Sequence, residues 1–185
     1  MTVAMEMERC DCVPSARYRW DADTGILAVG LMAAVNAALV AAGPMAVGSA
    51  APLGGRESAP GRASGAVSVE GEDGSWITLD LIDGWIQGVQ VAVWPELRHR
   101  PGLTPPLAAP ARVGLSHPDV TGSVLSVEVS GVVVAEVDPA SRNVHFRFGR
   151  LGVAATFAIA SEVLVELDSR RCLSGLWLLG VPRHP

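Results

Sequence analysis

The sequence predicts a mainly β protein (β-rich α+β): two related antiparallel β units with one Ala-rich helical insertion. Three observations support that class. First, Trp20-Asp21-Ala22-Asp23-Thr24-Gly25-Ile26-Leu27-Ala28-Val29 aligns without a gap on Val137-Asp138-Pro139-Ala140-Ser141-Arg142-Asn143-Val144-His145-Phe146. A second pair follows in the same order: Thr78-Leu79-Asp80 leading to Gly88-Val89-Gln90-Val91, and Glu166-Leu167-Asp168 leading to Gly175-Leu176-Trp177-Leu178. Self-similarity of this kind marks a repeated supersecondary unit, which constrains fold far more than function. Second, apolar and polar residues alternate over short runs, the period of a half-buried strand. Third, those runs are bounded by Asp, Gly and Pro, which tolerate or preset the backbone angles of tight turns.

The elements follow in chain order. Val3, Met5 and Met7 alternate with Glu6 and Glu8, an edge-strand pattern. Residues 18–29 read as strand, turn, strand, reversing at Asp21 to Gly25. Leu31, Val35 and Leu39 recur every four residues before Gly43-Pro44, which predicts a helix over 31–42. Residues 50–65 are rich in Ala, Gly, Pro and Ser and read as a loop, so 30–66 is an insertion within a first unit spanning 1–95. Trp76 to Leu79 and Trp85 to Trp94 are strands around a turn at 80–84, and Pro95 ends the second because proline cannot donate to a ladder. Residues 96–118 hold many prolines and no periodicity, and read as a linker.

In the second unit, 119–185, residues 124–129 and 132–137 predict a hairpin about Ser130-Gly131. Asp138-Pro139-Ala140-Ser141 is a type I turn sequence. Val144, Phe146 and Phe148 alternate with His145 and Arg147, which puts His145 on a solvated face. Residues 157–167 and 173–181 complete the unit. One such unit buries little apolar surface, so the two are expected to share a core.

Bulk chemistry narrows the function classes. The chain is 49% hydrophobic with a formal net charge of −5, and Arg supplies all 14 of its Lys+Arg residues. Without Lys there is no Schiff-base lysine and no phosphate-loop lysine. Cys10, Cys12 and Cys172 make an odd set without framework spacing, against a disulfide scaffold. One close Cys pair with Cys172 and a His falls short of a zinc pattern, so no metal or cofactor is expected. The stretch from Thr24 to Gly55 is uncharged, but its Ala and Gly content, Asn36 and Pro44 argue against a membrane span. A secretion signal is the alternative: Arg17 and Arg19 precede the run, and Gly48-Ser49-Ala50 suits cleavage. Against it, Asp21 and Asp23 stand directly before the run, which begins inside the first repeat. The expectation is a cytoplasmic chain, with a secreted or envelope-associated protein carrying a signal segment at 1–50 as the alternative.

Val137-Asp138-Pro139-Ala140 through Val144-His145-Phe146, with Leu167-Asp168 and Gly175-Leu176-Trp177-Leu178-Leu179, resemble a family of short bacterial β-rich proteins, domain of unknown function 2283. Its pattern is Tyr-Asp-Pro-Glu-x-Asp-x-Leu-Tyr-Ile, a strand ending Leu-Asp, a polar turn, then Gly-Ile-Glu-Ile-Leu. Trp20-Asp21-Ala22, Leu79-Asp80-Leu81-Ile82-Asp83-Gly84 and Gly88-Val89-Gln90-Val91 take the same parts in the first half. Gln90 and Trp177 stand where the family has an acid after the late Gly, and Gly25 and Arg142 where it has its second Asp. The resemblance implies a small β-rich unit with no activity to transfer.

The candidate carboxylates are Asp21, Asp80, Asp83, Asp138 and Asp168. Asp21-Ala22-Asp23-Thr24 has the spacing of a phosphotransferase nucleophile loop, but no buried strand precedes it and its repeat partner is a plain turn. Asp80 and Asp83 can be read as an acid–base pair, or with Glu70, Glu72 and Asp73 as calcium ligands; the spacing of a calcium loop is missing. Acids in Gly-containing turns ordinarily bond nearby amides, so no catalytic, cofactor or metal residue is assigned. No serine-hydrolase elbow, zinc-protease pair or dinucleotide loop occurs. Acidic balance and the lack of interleaved aromatics argue against nucleic acid. Trp76, Trp85, Trp94 and Trp177 fall near equivalent strands, predicting a shared core, with a Trp-lined pocket for an apolar ligand as the other reading. The sequence is therefore read as a non-catalytic binding or protein-interaction module, engaging a protein partner or itself. A secreted β protein ranks second, and a hydrolase using turn carboxylates third.

Overall fold

The computed structural model describes residues 3–32, 64–116, 124–149 and 152–183, which hold 14 strands. In chain order these are β1 (Met5–Arg9), β2 (Ser15–Trp20), β3 (Leu27–Met32), β4 (Ser64–Gly71), β5 (Trp76–Ile82), β6 (Trp85–Val93) and β7 (Leu97–His99). Then come β8 (Ala109–Leu115), β9 (Val124–Gly131), β10 (Val133–Asp138), β11 (Asn143–Phe148), β12 (Ala155–Ala160), β13 (Val163–Leu167) and β14 (Leu173–Leu178). The mainly β class holds. The predicted helix at 31–42 lies outside the described residues, except that Leu31 and Met32 belong to β3.

All 14 strands belong to one hydrogen-bonded sheet, which curls so that its two halves enclose one core. In the first half the order is β2-β3-β6-β5-β4, and in the second β10-β11-β14-β13-β12, every neighbouring pair antiparallel. Alternation explains the packing. Leu27, Val29, Val67, Val69, Leu79 and Val89 point inward from the first half and meet Val144, Phe146, Val165 and Leu176 from the second.

Three features depart from expectation. Residues 124–137 do not form a hairpin: β9 leaves to lie parallel to β4, while β10 pairs with β11. The two apolar runs look alike in sequence, but each finds its edge partner in a different half of the sheet. The Pro-rich stretch 96–118 is no bare connector. It supplies β7, parallel to β10, and β8, which pairs with β1, β6 and β12. Finally, Asp80 lies within β5 rather than in the turn, and the reversal is confined to Asp83 (φ 51) and Gly84 (φ 75). Positive φ at both central residues matches the twist of the flanking strands.

Candidate functional site

The β2–β3 turn and the β10–β11 turn line one pocket, and they are built alike. Gly25 N donates to Asp21 O (2.8 Å), as Arg142 N does to Asp138 O (2.7 Å). Asp21 Oδ1 accepts from the backbone N–H of Asp23 (3.0 Å) and Thr24 (3.2 Å). Asp138 accepts from Ala140 N (3.0 Å) and Ser141 Oγ (2.9 Å). Hydrogen bonds from Thr24 N–H and then Asp23 N–H hold the Asp21 carboxyl below the usual range, and those from Ala140 N–H and the Ser141 hydroxyl do the same at Asp138. Both turns end on a left-handed residue, Gly25 (φ 69) and Arg142 (φ 59). Glycine adopts that region freely, whereas for arginine it costs roughly 1–2 kcal/mol.

Between these turns opens an apolar pocket of about 580 Å³. Val144 and Val181 are its buried residues, Trp20, Trp94 and Val137 are half-buried, and Leu97, Pro139, Arg142 and Arg183 are exposed at its mouth. Trp20 stacks on Trp94 (ring centroids 5.6 Å apart), which in turn tilts against Phe146 at 5.8 Å. The chain after β14 closes one side: Val181 N donates to Arg142 O (2.9 Å), and Trp20 Nε1 to Pro182 O (2.9 Å). Tyr18 anchors β2 nearby, its hydroxyl donating to Leu179 O (2.8 Å). Burial, reinforced by the Glu162 charge, pushes that phenol upward, so it stays a neutral donor. The indole N–H of Trp94 is buried without an acceptor among the described residues.

The remaining candidate carboxylates do not converge on this pocket. Asp168 caps the β13–β14 turn, Oδ1 accepting from Arg170 N (2.8 Å) and Cys172 N (2.8 Å). Asp83 donates its N–H to Ser64 Oγ (3.2 Å). Asp80 accepts from Gln90 Nε2 (3.0 Å) on the outer face of the first half. Cys172 is buried, which raises its thiol pKa, while Cys12 is exposed; no cluster able to hold a metal occurs among the described residues.

A polar cluster that the strand pattern hides lies on the outer face of the second half. His145, expected in solvent, is only 7% exposed, and Glu166 only 3%. Glu166 Oε2 bonds His145 Nε2 (2.9 Å), and Glu166 Oε1 accepts from Trp177 Nε1 (2.7 Å). The imidazole stacks on the Trp177 indole at 4.1 Å. The cover comes from the connection between β7 and β8, where Leu103 packs with Leu164 and Trp177. Both oxygens of Glu166 are engaged and the group is sealed, so its role is to hold β11, β13 and β14 together.

The two ladders do not follow the second pair of aligned segments. Gly88 faces Asp80 across its strand pair and Gly175 faces Glu166, and the ladder shifts register directly after each acid. At this place in the two ladders the acids are Asp80 and Glu166 rather than Asp168, and the path to the facing glycine is one residue longer in the second half. A side chain at either glycine would run into the facing carboxylate. Two residues on, Gln90 and Trp177 each donate to that carboxylate. No protein-family model and no curated protein matches this chain.

Proposed function

We propose that this chain is a non-catalytic binding module made of a duplicated five-strand unit, and that it engages a protein partner through the pocket between the two hairpin turns. The duplication is supported by the equal strand order, the paired turns and the acid–glycine pairs at equivalent ladder positions. Kinship with the short β-rich family named above belongs to the same proposal and rests on the matched segments. The observation that carries the binding role is the open apolar pocket of about 580 Å³ beside stacked Trp20 and Trp94. Concave, mostly apolar sites of this size with a few polar groups at the mouth are where ligands bind. The non-catalytic reading is favoured by Asp21, Asp138 and Asp168, whose carboxylates accept hydrogen bonds within their own turns. Residues 3–32 supply β1 to β3, which favours a chain that keeps residues 1–50 and with it a cytoplasmic location.

The test uses the apolar dye anilinonaphthalene sulfonate and the full chain. Saturable binding with a change in tryptophan emission is expected, and Val137→Phe, which fills the pocket wall, should abolish it while leaving the far-ultraviolet circular dichroism intact. Saturable binding that survives Val137→Phe places the site elsewhere and sinks the proposal.

A further inference from the structure

Two guanidinium groups, Arg142 and Arg183, line the mouth of an otherwise apolar pocket, and both residues are exposed. Neither makes an ion pair among the described residues, whose salt bridges engage Arg100, Arg112 and His145 instead. The turn acids Asp21 and Asp138 accept hydrogen bonds within their own turns and form no ion pair with either arginine among the described residues. Two guanidinium groups without a paired carboxylate among the described residues thus stand at the mouth, on a chain whose formal net charge is −5. The repeat supplies a second, independent observation. Arg142 sits at the left-handed position that its counterpart Gly25 occupies without strain, so the arginine is held there against its backbone preference.

The pocket also adjoins a strand that is unpaired on one side among the described residues. Leu97 lines it and belongs to β7, whose three residues are all exposed and which among the described residues pairs with β10 alone. An extended peptide can add to such an edge, its main chain giving affinity and alternate side chains filling pockets.

We infer that the occupant is an extended segment of a partner polypeptide that lies along β7, places a large apolar side chain in the pocket and sets a carboxylate against Arg142 and Arg183. This rests on the proposed binding role of the pocket. Charge complementarity at a wet rim adds modest affinity and fixes orientation, while the apolar anchor supplies most of the binding.

The test is a displayed library of random linear peptides panned on the full chain, with the enriched peptides then measured by fluorescence anisotropy. Enriched sequences are expected to carry Asp, Glu or a free C-terminal carboxylate beside a large apolar residue. Arg142→Gly, which restores the residue of the other turn and relieves the backbone, should weaken such a peptide roughly fivefold at low salt. Replacing the peptide's acid by its amide should cost at least as much, because it also loses Arg183, and the two changes together should cost no more than the amide alone. Enriched peptides that lack an acid, ignore Arg142→Gly and still lose binding with Val137→Phe overturn this inference while the pocket reading stands. No enrichment over bare support, or binding indifferent to Val137→Phe, brings down the pocket reading itself. Octanoate displacing the dye at lower concentration than the best peptide replaces the polypeptide with a small amphipathic acid, and the inference falls.

Discussion

Asp80 in the first half of the sheet and Glu166 in the second occupy the same place in their ladders, each facing a glycine and each accepting a hydrogen bond from the residue two beyond it. Yet Gln90 is exposed and Asp80 half-buried, whereas Glu166, Trp177 and His145 are sealed beneath the connection carrying Leu103. The first pair remains in contact with water, which can replace a lost partner. In the second, each donor depends on a single carboxylate. One local geometry is thus a surface ornament in one half and a structural joint in the other, and the covering segment makes the difference.

The sharpest way to break this comparison is to remove each acid. Glu166→Ala leaves Trp177 Nε1 and His145 Nε2 buried without their acceptor and should cost about 3–5 kcal/mol. Asp80→Ala should stay within about 1 kcal/mol. Urea denaturation of both variants measures the contrast; equal losses would mean that burial is not what separates the two sites. Next come the glycines. Gly175→Ala drives a methyl group into the Glu166 carboxylate and close to Phe146 O (3.0 Å), and about 1–3 kcal/mol of stability should go. Gly88→Ala meets Asp80 Oδ2 at 2.9 Å, but that carboxylate can swing into solvent, so the cost should be smaller.

The turns offer a comparison of opposite sign. Arg142→Gly should raise stability by about 1 kcal/mol, and Gly25→Ala should lower it by a similar amount, both read as denaturation midpoints. The smallest effect is on pH. Asp21 and Asp138 have folded-state pKa values below the unfolded one, so below the unfolded pKa the unfolded chain binds more protons and stability rises with pH. Thermal midpoints should therefore be flat above about pH 5 and fall as pH drops through about 4 and below. Asp21→Asn and Asp138→Asn should each make that fall shallower by a similar amount.

Most of the strands were legible because alternation and turn residues are local signals. Residues 133–148 read correctly as strand, Asp turn and strand, and Val144, Phe146 and Phe148 do face the core. What failed was non-local. Nothing near Trp177, on which His145 stacks, announces that Leu103 will pack against it from a stretch read as linker. The sequence sets β9 beside β10 because a tight Ser-Gly step looks the same whether the chain folds back or crosses to another edge. Pairing Asp80 with Asp168 followed the Leu-Asp dipeptides, and only hydrogen-bond register exposes the longer loop. A Trp-lined pocket is only the second reading of Trp76, Trp85, Trp94 and Trp177, of which Trp94 alone lines this one; its walls come from β2, β7, β10, β11 and the chain beyond β14, which no local pattern gathers together.

The way the first strand is seated has a consequence for the life history of the molecule. Ala4 bridges to Cys172, Met5 N donates to Arg171 O, Leu173 N donates to Val3 O, and Met5 lies opposite Leu115. During synthesis β1 leaves the ribosome well before β8 and residues 171–173, and it has no complete berth until they have followed. Its neighbours must form by closing very long loops, which slows folding more than it lowers final stability. Until then, Val3 and Met5 stay exposed on a nascent chain, where a chaperone can hold them. β1 is made before the strands that seat it and cannot settle until they are there.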